Sequence, residues 1–322
     1  MPAKTRPRIA VSLGDPRGIG PEITRSALSD SRILSQADFV VIGPEPGSVP
    51  GGIPGDHAEY LSIGRWTGAG PAEAGRLSGL AIERAIELAL AGEVDGLVTA
   101  PIAKSALQAA GYPFPGHTEF LRERCGAPDV TMIMAAEQTP LGGPLRVALL
   151  TVHVALREVP GLLDVDLVTR RCGLAAAALR EWWGIDRPRL ALAGVNPHAS
   201  EHGLFGDEEE RVLRPAAEEL ADSEDLDVAG IFPADTVFRK CLRGEVDLVV
   251  VPYHDVGLAV LKTLAAETGV NVTAGLPFPR TSPDHGTAFD IAGRGVADAS
   301  SMKAAVSQCV RFCQGGRMAE VG

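Results

Sequence analysis

Short aliphatic runs recur along this chain with helix-period stretches between them, and that alternation constrains the fold more than any single residue does. Ile9-Ala-Val-Ser-Leu13, Phe39-Val-Val-Ile42 and Gly96-Leu-Val-Thr99 are too short for helices and almost free of charge, as strands buried on both faces are. Three further runs read the same way: Leu145-Arg-Val-Ala-Leu-Leu-Thr-Val152, Leu190-Ala-Leu-Ala-Gly-Val195 and Val246-Asp-Leu-Val-Val-Val251. Between the runs, Pro21-Glu22 opens a helix, with proline suited to a first turn. Residues 74–91 place Leu77, Leu80, Ala81, Ile86 and Leu88 at helical spacing, and 175–183 and 208–220 read as helical too. Residues 43–72, rich in Gly and Pro, read as irregular, and 139–144 as a surface turn. Such βαβ alternation predicts an α/β fold with a mainly parallel sheet and helices on both faces.

The chain has 322 residues, 45% of them hydrophobic, enough for two lobes rather than one. Its formal net charge of −11, with Lys and Arg scattered, argues against a nucleic-acid partner. A few local cations still suffice to hold an anionic substrate in a cleft. The five cysteines have no zinc-knuckle or CxxC spacing and read as free thiols of a reducing compartment. Residues 1–8 are short and basic and lead straight into the first strand. No apolar run reaches the length of a membrane span, so a cytoplasmic protein without a membrane partner is expected.

Three of the seven histidines follow strand-like runs: His153 after Val152, His198 after Asn196-Pro197, and His254 after Pro252-Tyr253. Ligands of open α/β sheets bind beyond the carboxyl ends of strands. Three imidazoles there point to a divalent metal in an interstrand cleft; any one alone reads as a surface histidine. His202, in a Glu-His-Gly loop, reads as exposed, and 207–210 as the acidic start of a helix.

Other segments admit two readings each. Gly14-Asp-Pro-Arg-Gly-Ile-Gly-Pro-Glu22 is a phosphate cradle or a tight structural turn; it matches neither GxGxxG nor a Walker loop. In Pro115-Gly-His-Thr-Glu119, His117 and Thr118 donate to a ligand, or Thr118 caps a helix. Asp235 supports a metal, orients an imidazole or caps a helix. Lys262, Asn271 and Arg280 suit a phosphate or carboxylate, with exposed surface charge as the plain alternative. Residues 282–293 form a polar loop whose small residues permit close approach to a ligand.

Taken together these segments resemble one family. Gly14-Asp-Pro-x-Gly-Ile-Gly-Pro-Glu22, Pro101-Ile-x-Lys104, Gly116-His-Thr-Glu-Phe-Leu121, Asn196-Pro-His-Ala199, Gly203-x-Phe-Gly206, Pro233-Ala-Asp-Thr236, Tyr253-His-Asp255 and Asp284-His-Gly-Thr-Ala288 are similar to the motifs of the 4-hydroxythreonine-4-phosphate dehydrogenases, in order and over nearly the whole chain. The resemblance implies a two-lobed fold like that of isocitrate and isopropylmalate dehydrogenases. It places the active site in the interlobe cleft, a discontinuous cofactor-side lobe at 1–115 plus 270–322, and a metal and dimerisation lobe at 116–269.

The resemblance also implies roles. His153, His198 and His254 match metal ligands, drawn from both subunits of a homodimer, for zinc, magnesium, manganese or cobalt. His117, Thr118, Lys262, Asn271 and Arg280 match substrate contacts. His285, Gly286, Thr287 and Ala288 match a loop that contacts NAD or NADP. Asp235 matches an acidic residue near the metal. Lys262, Asp235 and a water at the metal are all open as proton acceptor. The implied reaction oxidises the secondary alcohol of 4-phosphooxy-threonine to a β-keto acid that decarboxylates to 3-amino-2-oxopropyl phosphate, a step of pyridoxine biosynthesis. Relatives act on 4-phosphorylated threonate or erythronate, or on aromatic cis-dihydrodiol dicarboxylates. Arg17, where a small residue is usual, Ala103, where Asn is common, a short 43–75 region and an insertion at 139–144 depart from the family pattern.

Overall fold

The computed structural model describes residues 6–49, 52 and 58–315. The chain divides into two compact units, Met1–Asp129 with Leu276–Gly322, and Val130–Gly275. The limits expected from the sequence, 115/116 and 269/270, lie earlier in the chain at both joins. Among the described residues the strands are β1 (Arg8–Ser12), β2 (Asp38–Gly43), β3 (Glu59–Ser62), β4 (Gly96–Thr99), β5 (Thr131–Ala136), β6 (Leu145–Leu149), β7 (Arg189–Ala193), β8 (Asp227–Phe232), β9 (Leu248–Val251), β10 (Val270–Ala274) and β11 (Arg280–Pro283).

In the first unit the strand order is β3-β2-β1-β4-β11, and every neighbouring pair is parallel. Burial on both faces explains the unbroken aliphatic runs: Ile9, Ala10, Val11, Leu97 and Val98 are fully enclosed. The helix Pro71–Leu90 begins at its proline and buries Leu77, Ala81, Ile82 and Ala85. It touches the helix Lys104–Ala109 so closely that a Cβ on Gly75 would sit 1.9 Å from the Ala106 carbonyl oxygen. The region read as irregular contains β3. This strand pairs with β2 along one side only and is half-exposed, so its Glu-Tyr-Leu-Ser sequence carries no buried-strand signature.

In the second unit the order is β10-β5-β6-β9-β7-β8. β10 and β6 flank β5 antiparallel, whereas β6, β9, β7 and β8 run parallel. The segment 139–144 is the turn between β5 and β6. It is closed by the Gly142 N–H on the Thr139 carbonyl (3.0 Å), and Leu141 at its tip is exposed. The core is Val147, Leu149, Val249, Val251, Leu258 and Leu261. The helix expected at 175–183 spans Val165–Trp183, because Asp164 caps it by accepting the Leu167 N–H at 2.7 Å. The segment 208–220 is a π-helical turn, Glu209–Leu213, continued by an α-helix, Arg214–Ala221. Among the described residues no helix is long and apolar enough to cross a membrane.

Candidate active site

The parallel pairing of β6 with β9, in register from Val147↔Val249 to Leu149↔Val251, carries both strands to the same end of the second unit. The chain leaves β6 through Leu150 to His153, and leaves β9 through Pro252-Tyr253 into the helix His254–Ala265. The two imidazoles meet there, ring centres 5.8 Å apart and tilted by 43°. An ion bound through a ring nitrogen at about 2.0–2.1 Å lies about 3.2 Å from each ring centre, so two rings at this separation can share one ion. Asp255 Oδ1 lies 2.7 Å from His254 Nδ1. A carboxylate on Nδ1 holds the proton there and leaves Nε2 as the ligating nitrogen. The donor set therefore fits a divalent metal of intermediate softness.

His198 does not join this pair. β7 lies beyond β9 in the sheet, and after it the chain enters a turn in which His198, Ala199, Ser200, Glu201 and His202 all have positive φ, from 47° to 66°. Left-handed backbone costs an L-residue roughly 1–2 kcal/mol. The turn is held from inside: buried Glu209 accepts the Asn196 N–H (2.7 Å) and Nδ2 (2.9 Å), and Glu208 accepts Nδ2 at 2.6 Å. The Asn196 amide keeps the Glu208 carboxyl below its ordinary range. The held turn leaves His198 exposed, with Nδ1 3.0 Å from Glu201 Oε2 and Nε2 facing outward from that pair. Among the described residues no group of three or more His, Cys, Asp or Glu is arranged to hold a metal. Of the three imidazoles expected in one interstrand cleft, two lie together, while the left-handed turn after β7, the strand next to β9, holds His198 apart from them. His202 is exposed, as expected.

Asp235 lies in the exposed turn after β8, beside β7 and two strands from β9. It is not a helix cap, since the next helix starts at Phe238 behind Val237. Lys262 is exposed on the helix that His254 opens. Asn271 is on β10 opposite Met134, and its buried Oδ1 has no hydrogen-bond partner among the described residues.

In the first unit, His117 and Thr118 are the first two residues of the helix His117–Arg124. The N-cap is Gly116, so Thr118 is not the cap. Phe120 and Leu121 anchor that helix in the core, with Phe120 stacked on Phe114 at 4.5 Å. Arg280 opens β11 and is only 2% exposed; its Nη2 donates to Thr99 Oγ1 at the end of β4 (2.5 Å). Burial pushes its guanidinium down to about 9, opposed by the nearby Glu119 carboxylate. Burial, with Arg280 adding to it, holds the His117 imidazole well below its usual range and therefore neutral at pH 7. The buried His117 Nε2 has no hydrogen-bond partner among the described residues. A buried cation, a neutral imidazole and a helix N-terminus together make an anion site suited to phosphate or carboxylate.

The loop 284–299 follows β11. In it, the His285 Nε2 is buried without a hydrogen-bond partner, a Cβ on Gly286 would meet open space, and Ala288 is left-handed at φ 42°. These features fit close approach of a large polar ligand such as a dinucleotide. The Gly14–Glu22 segment fits the tight structural turn better than a phosphate cradle, because four of its N–H groups bond within the protein: Asp15 to the Pro101 carbonyl, Arg17 to Asp15 Oδ1, Gly18 to the Asp15 carbonyl and Ile19 to the Thr287 carbonyl. Sequence reading gives no separate role to Thr99, Asp255 or Glu201, and takes 207–210 for a solvated helix start, whereas Glu209 is buried beneath the turn. Only Asp255 and Glu201, each next to a histidine, carry a usable signal.

The family model for the pyridoxal phosphate biosynthetic protein PdxA matches residues 35–309. A 4-hydroxythreonine-4-phosphate dehydrogenase of Desulfosudis oleivorans is 41% identical, aligned over 98% of this chain and 99% of its own. A Salmonella typhi protein provisionally named D-threonate 4-phosphate dehydrogenase is also 41% identical, over 94% of this chain and 98% of its own. The crystal structure of the Klebsiella pneumoniae 4-hydroxythreonine-4-phosphate dehydrogenase superposes with a TM-score of 0.84 at 38% identity, covering 96% of this chain and 98% of that one. An isocitrate dehydrogenase of Methylococcus capsulatus, 14% identical over 92% of this chain and 82% of its own, shares the fold alone at a TM-score of 0.52. With its motifs, sheet order and near-complete alignment agreeing, the chain belongs to the PdxA family, the 4-hydroxythreonine-4-phosphate dehydrogenases.

Proposed function

We propose that this protein is a metal-dependent, NAD(P)-dependent dehydrogenase that oxidises the secondary alcohol of 4-hydroxythreonine 4-phosphate. Hydride passes to the nicotinamide, the hydroxyl proton is released, and the β-keto acid loses carbon dioxide to give 3-amino-2-oxopropyl phosphate. The observation that carries the metal reading is the His153–His254 pair at 5.8 Å, with Asp255 on the His254 Nδ1. His198 of the partner subunit completes the set in a homodimer. Its outward position supports this, as do the exposed apolar side chains flanking these histidines: Leu156 (63%), Leu162, Leu204 (70%) and Phe205.

A divalent ion held there supplies Lewis acidity to the substrate oxygens. His117, Thr118 and Arg280 bind an anionic group of the substrate, and Asn271 offers its buried amide oxygen to a substrate donor. Lys262, Asp235 and a water at the metal are the candidates for proton acceptor, with Lys262 also a substrate contact. His285, Gly286, Thr287 and Ala288 line the dinucleotide loop, which orients the cofactor while the cofactor carries the hydride chemistry. The Salmonella relative favours a second reading, the same chemistry on 4-phosphothreonate.

The test is NAD(P)H formation at 340 nm with added divalent metal, on 4-hydroxythreonine 4-phosphate, 4-phosphothreonate, 4-phosphoerythronate and a dihydrodiol dicarboxylate. Turnover of the amino acid, abolished by a chelator, supports the first reading. Turnover confined to another acid replaces the substrate, and turnover unaffected by chelation overturns the metal.

A further inference from the structure

Besides its bonds to Pro101 and Ser78, the Gly14–Glu22 segment makes a cluster of contacts with the loop after β11. Glu22, in the first turn of the helix Gly20–Ala27 and only 6% exposed, receives three backbone N–H groups of that loop. Its Oε2 accepts from Gly293 (2.9 Å) and Gly295 (3.4 Å), and its Oε1 accepts from Ala297 (3.2 Å). Ahead of the helix, the Ile19 N–H donates to the Thr287 carbonyl at 2.9 Å. The approach is so close that a Cβ on Gly18 would lie 2.8 Å from that same oxygen, so only glycine permits it.

Arg17 adds a third fastening. Fully buried Asp15 grips its guanidinium through two parallel bonds, Nε to Oδ1 (2.9 Å) and Nη2 to Oδ2 (2.7 Å), which raises its pKa further. The guanidinium, so fixed, lies 4.8 Å from the ring centre of Phe289, an aromatic ring 47% exposed on the loop. The loop is therefore tied at Thr287, Phe289, Gly293, Gly295 and Ala297, while His285 Nε2 and the open face of Gly286 are left unused.

We propose that Asp15, Arg17 and Glu22 are positioning residues, which act through the loop to preset the dinucleotide site before the cofactor arrives. The inference rests on the reading that 285–288 contact NAD or NADP. A loop held in its binding conformation spares the ligand the cost of ordering it, so loosening the clasp weakens cofactor binding in proportion to the population lost. The carboxylate of Glu22 is essential to the design. Both oxygens accept, and an amide in its place would turn one acceptor into a donor facing an N–H group.

The test uses the full-length chain with Glu22→Gln and, as a variant whose exposed ring leaves folding untouched, Phe289→Ala, beside His285→Ala as a control on the cofactor reading. Amide hydrogen exchange in the free protein is expected to quicken at 293, 295 and 297 in Glu22→Gln. The Kd for NADH by fluorescence titration is expected to rise about tenfold in Glu22→Gln and about threefold in Phe289→Ala. In both, kcat at saturating cofactor and KM for the phosphorylated substrate stay within about twofold of wild type. Unchanged NADH affinity in both variants, with His285→Ala weakened, overturns the positioning role and leaves the cofactor reading standing. Unchanged affinity in all three overturns both.

Discussion

Replacing Arg280 by Met separates what the fold needs from what the ligand needs. The guanidinium is 2% exposed, and its fall to about 9, net of the Glu119 attraction, corresponds to something on the order of 5 kcal/mol against the charged form at neutral pH. Methionine fills much of the same volume without charge. Against that relief stands the bond to buried Thr99, whose loss strands a hydroxyl at about 1–3 kcal/mol. The balance predicts a free protein about 2–4 kcal/mol more stable in the variant. An anion in the site reverses the balance, because it sets a full negative charge against the buried cation. Inorganic phosphate should therefore raise the melting temperature of the wild type and leave that of Arg280→Met in place. kcat/KM for the phosphorylated substrate should fall by about 2–4 kcal/mol equivalent. Denaturant unfolding with and without phosphate, beside steady-state kinetics, reads all three. A variant that is less stable, still stabilised by phosphate and kinetically unchanged would refute the reasoning and make Arg280 a structural residue.

Three shorter predictions accompany it. The His117 imidazole is held neutral in the fold, below the unfolded value of 6.5, so its contribution is present above that value and lost as pH falls below it. Between pH 8 and pH 5.5 the wild type should lose more stability than His117→Asn, measured by urea unfolding at each pH; equal losses would contradict the burial of a neutral ring. Gly75→Ala places a methyl group 1.9 Å from the Ala106 oxygen and 2.3 Å from its carbonyl carbon, both immobile backbone atoms. It should cost about 3 kcal/mol or more in the same assay, and a neutral effect would show that the two helices separate freely. Ala199 sits at φ 53°, ψ 54°, where glycine relieves the left-handed strain, so Ala199→Gly should raise the melting temperature by the equivalent of about 0.5 kcal/mol. A lower melting temperature would mean that the methyl contact outweighs the strain.

The strands most legible in the sequence are those buried on both faces. β1, β2, β4, β6, β7 and β9 are aliphatic because helices or further strands cover them, and each appears within a few residues of its expected place. β3 and β11 carried no such signal. β3 is an edge strand, half-wet, and β11 is Arg-Thr-Ser-Pro, buried in full but polar. Its arginine donates to Thr99 and its threonine hydroxyl donates to the Ala305 carbonyl, so tertiary contacts make it a strand. The histidines were legible as a set through their shared position after strands. Their grouping was not, because the sheet order β6-β9-β7 decides which ends are neighbours and no local pattern encodes it. The left-handed run from His198 to His202 contains no glycine, so nothing in its residue types announced the turn that holds His198 away from the other two. The proposal of a second subunit that brings His198 to the other two rests on the family resemblance and not on periodicity.

That shared site is the central claim, and mixed subunits test it most directly. His198→Ala and His254→Ala should each be inactive alone. Co-expressed, they form heterodimers in which one site has both defects and the other has none. NAD(P)H formation from 4-hydroxythreonine 4-phosphate by the mixture should return to about one quarter of the wild-type rate for random pairing, with half the dimers mixed and one of two sites intact in each. A mixture as inactive as either variant alone would contradict a metal held by His153 and His254 of one subunit and His198 of its partner.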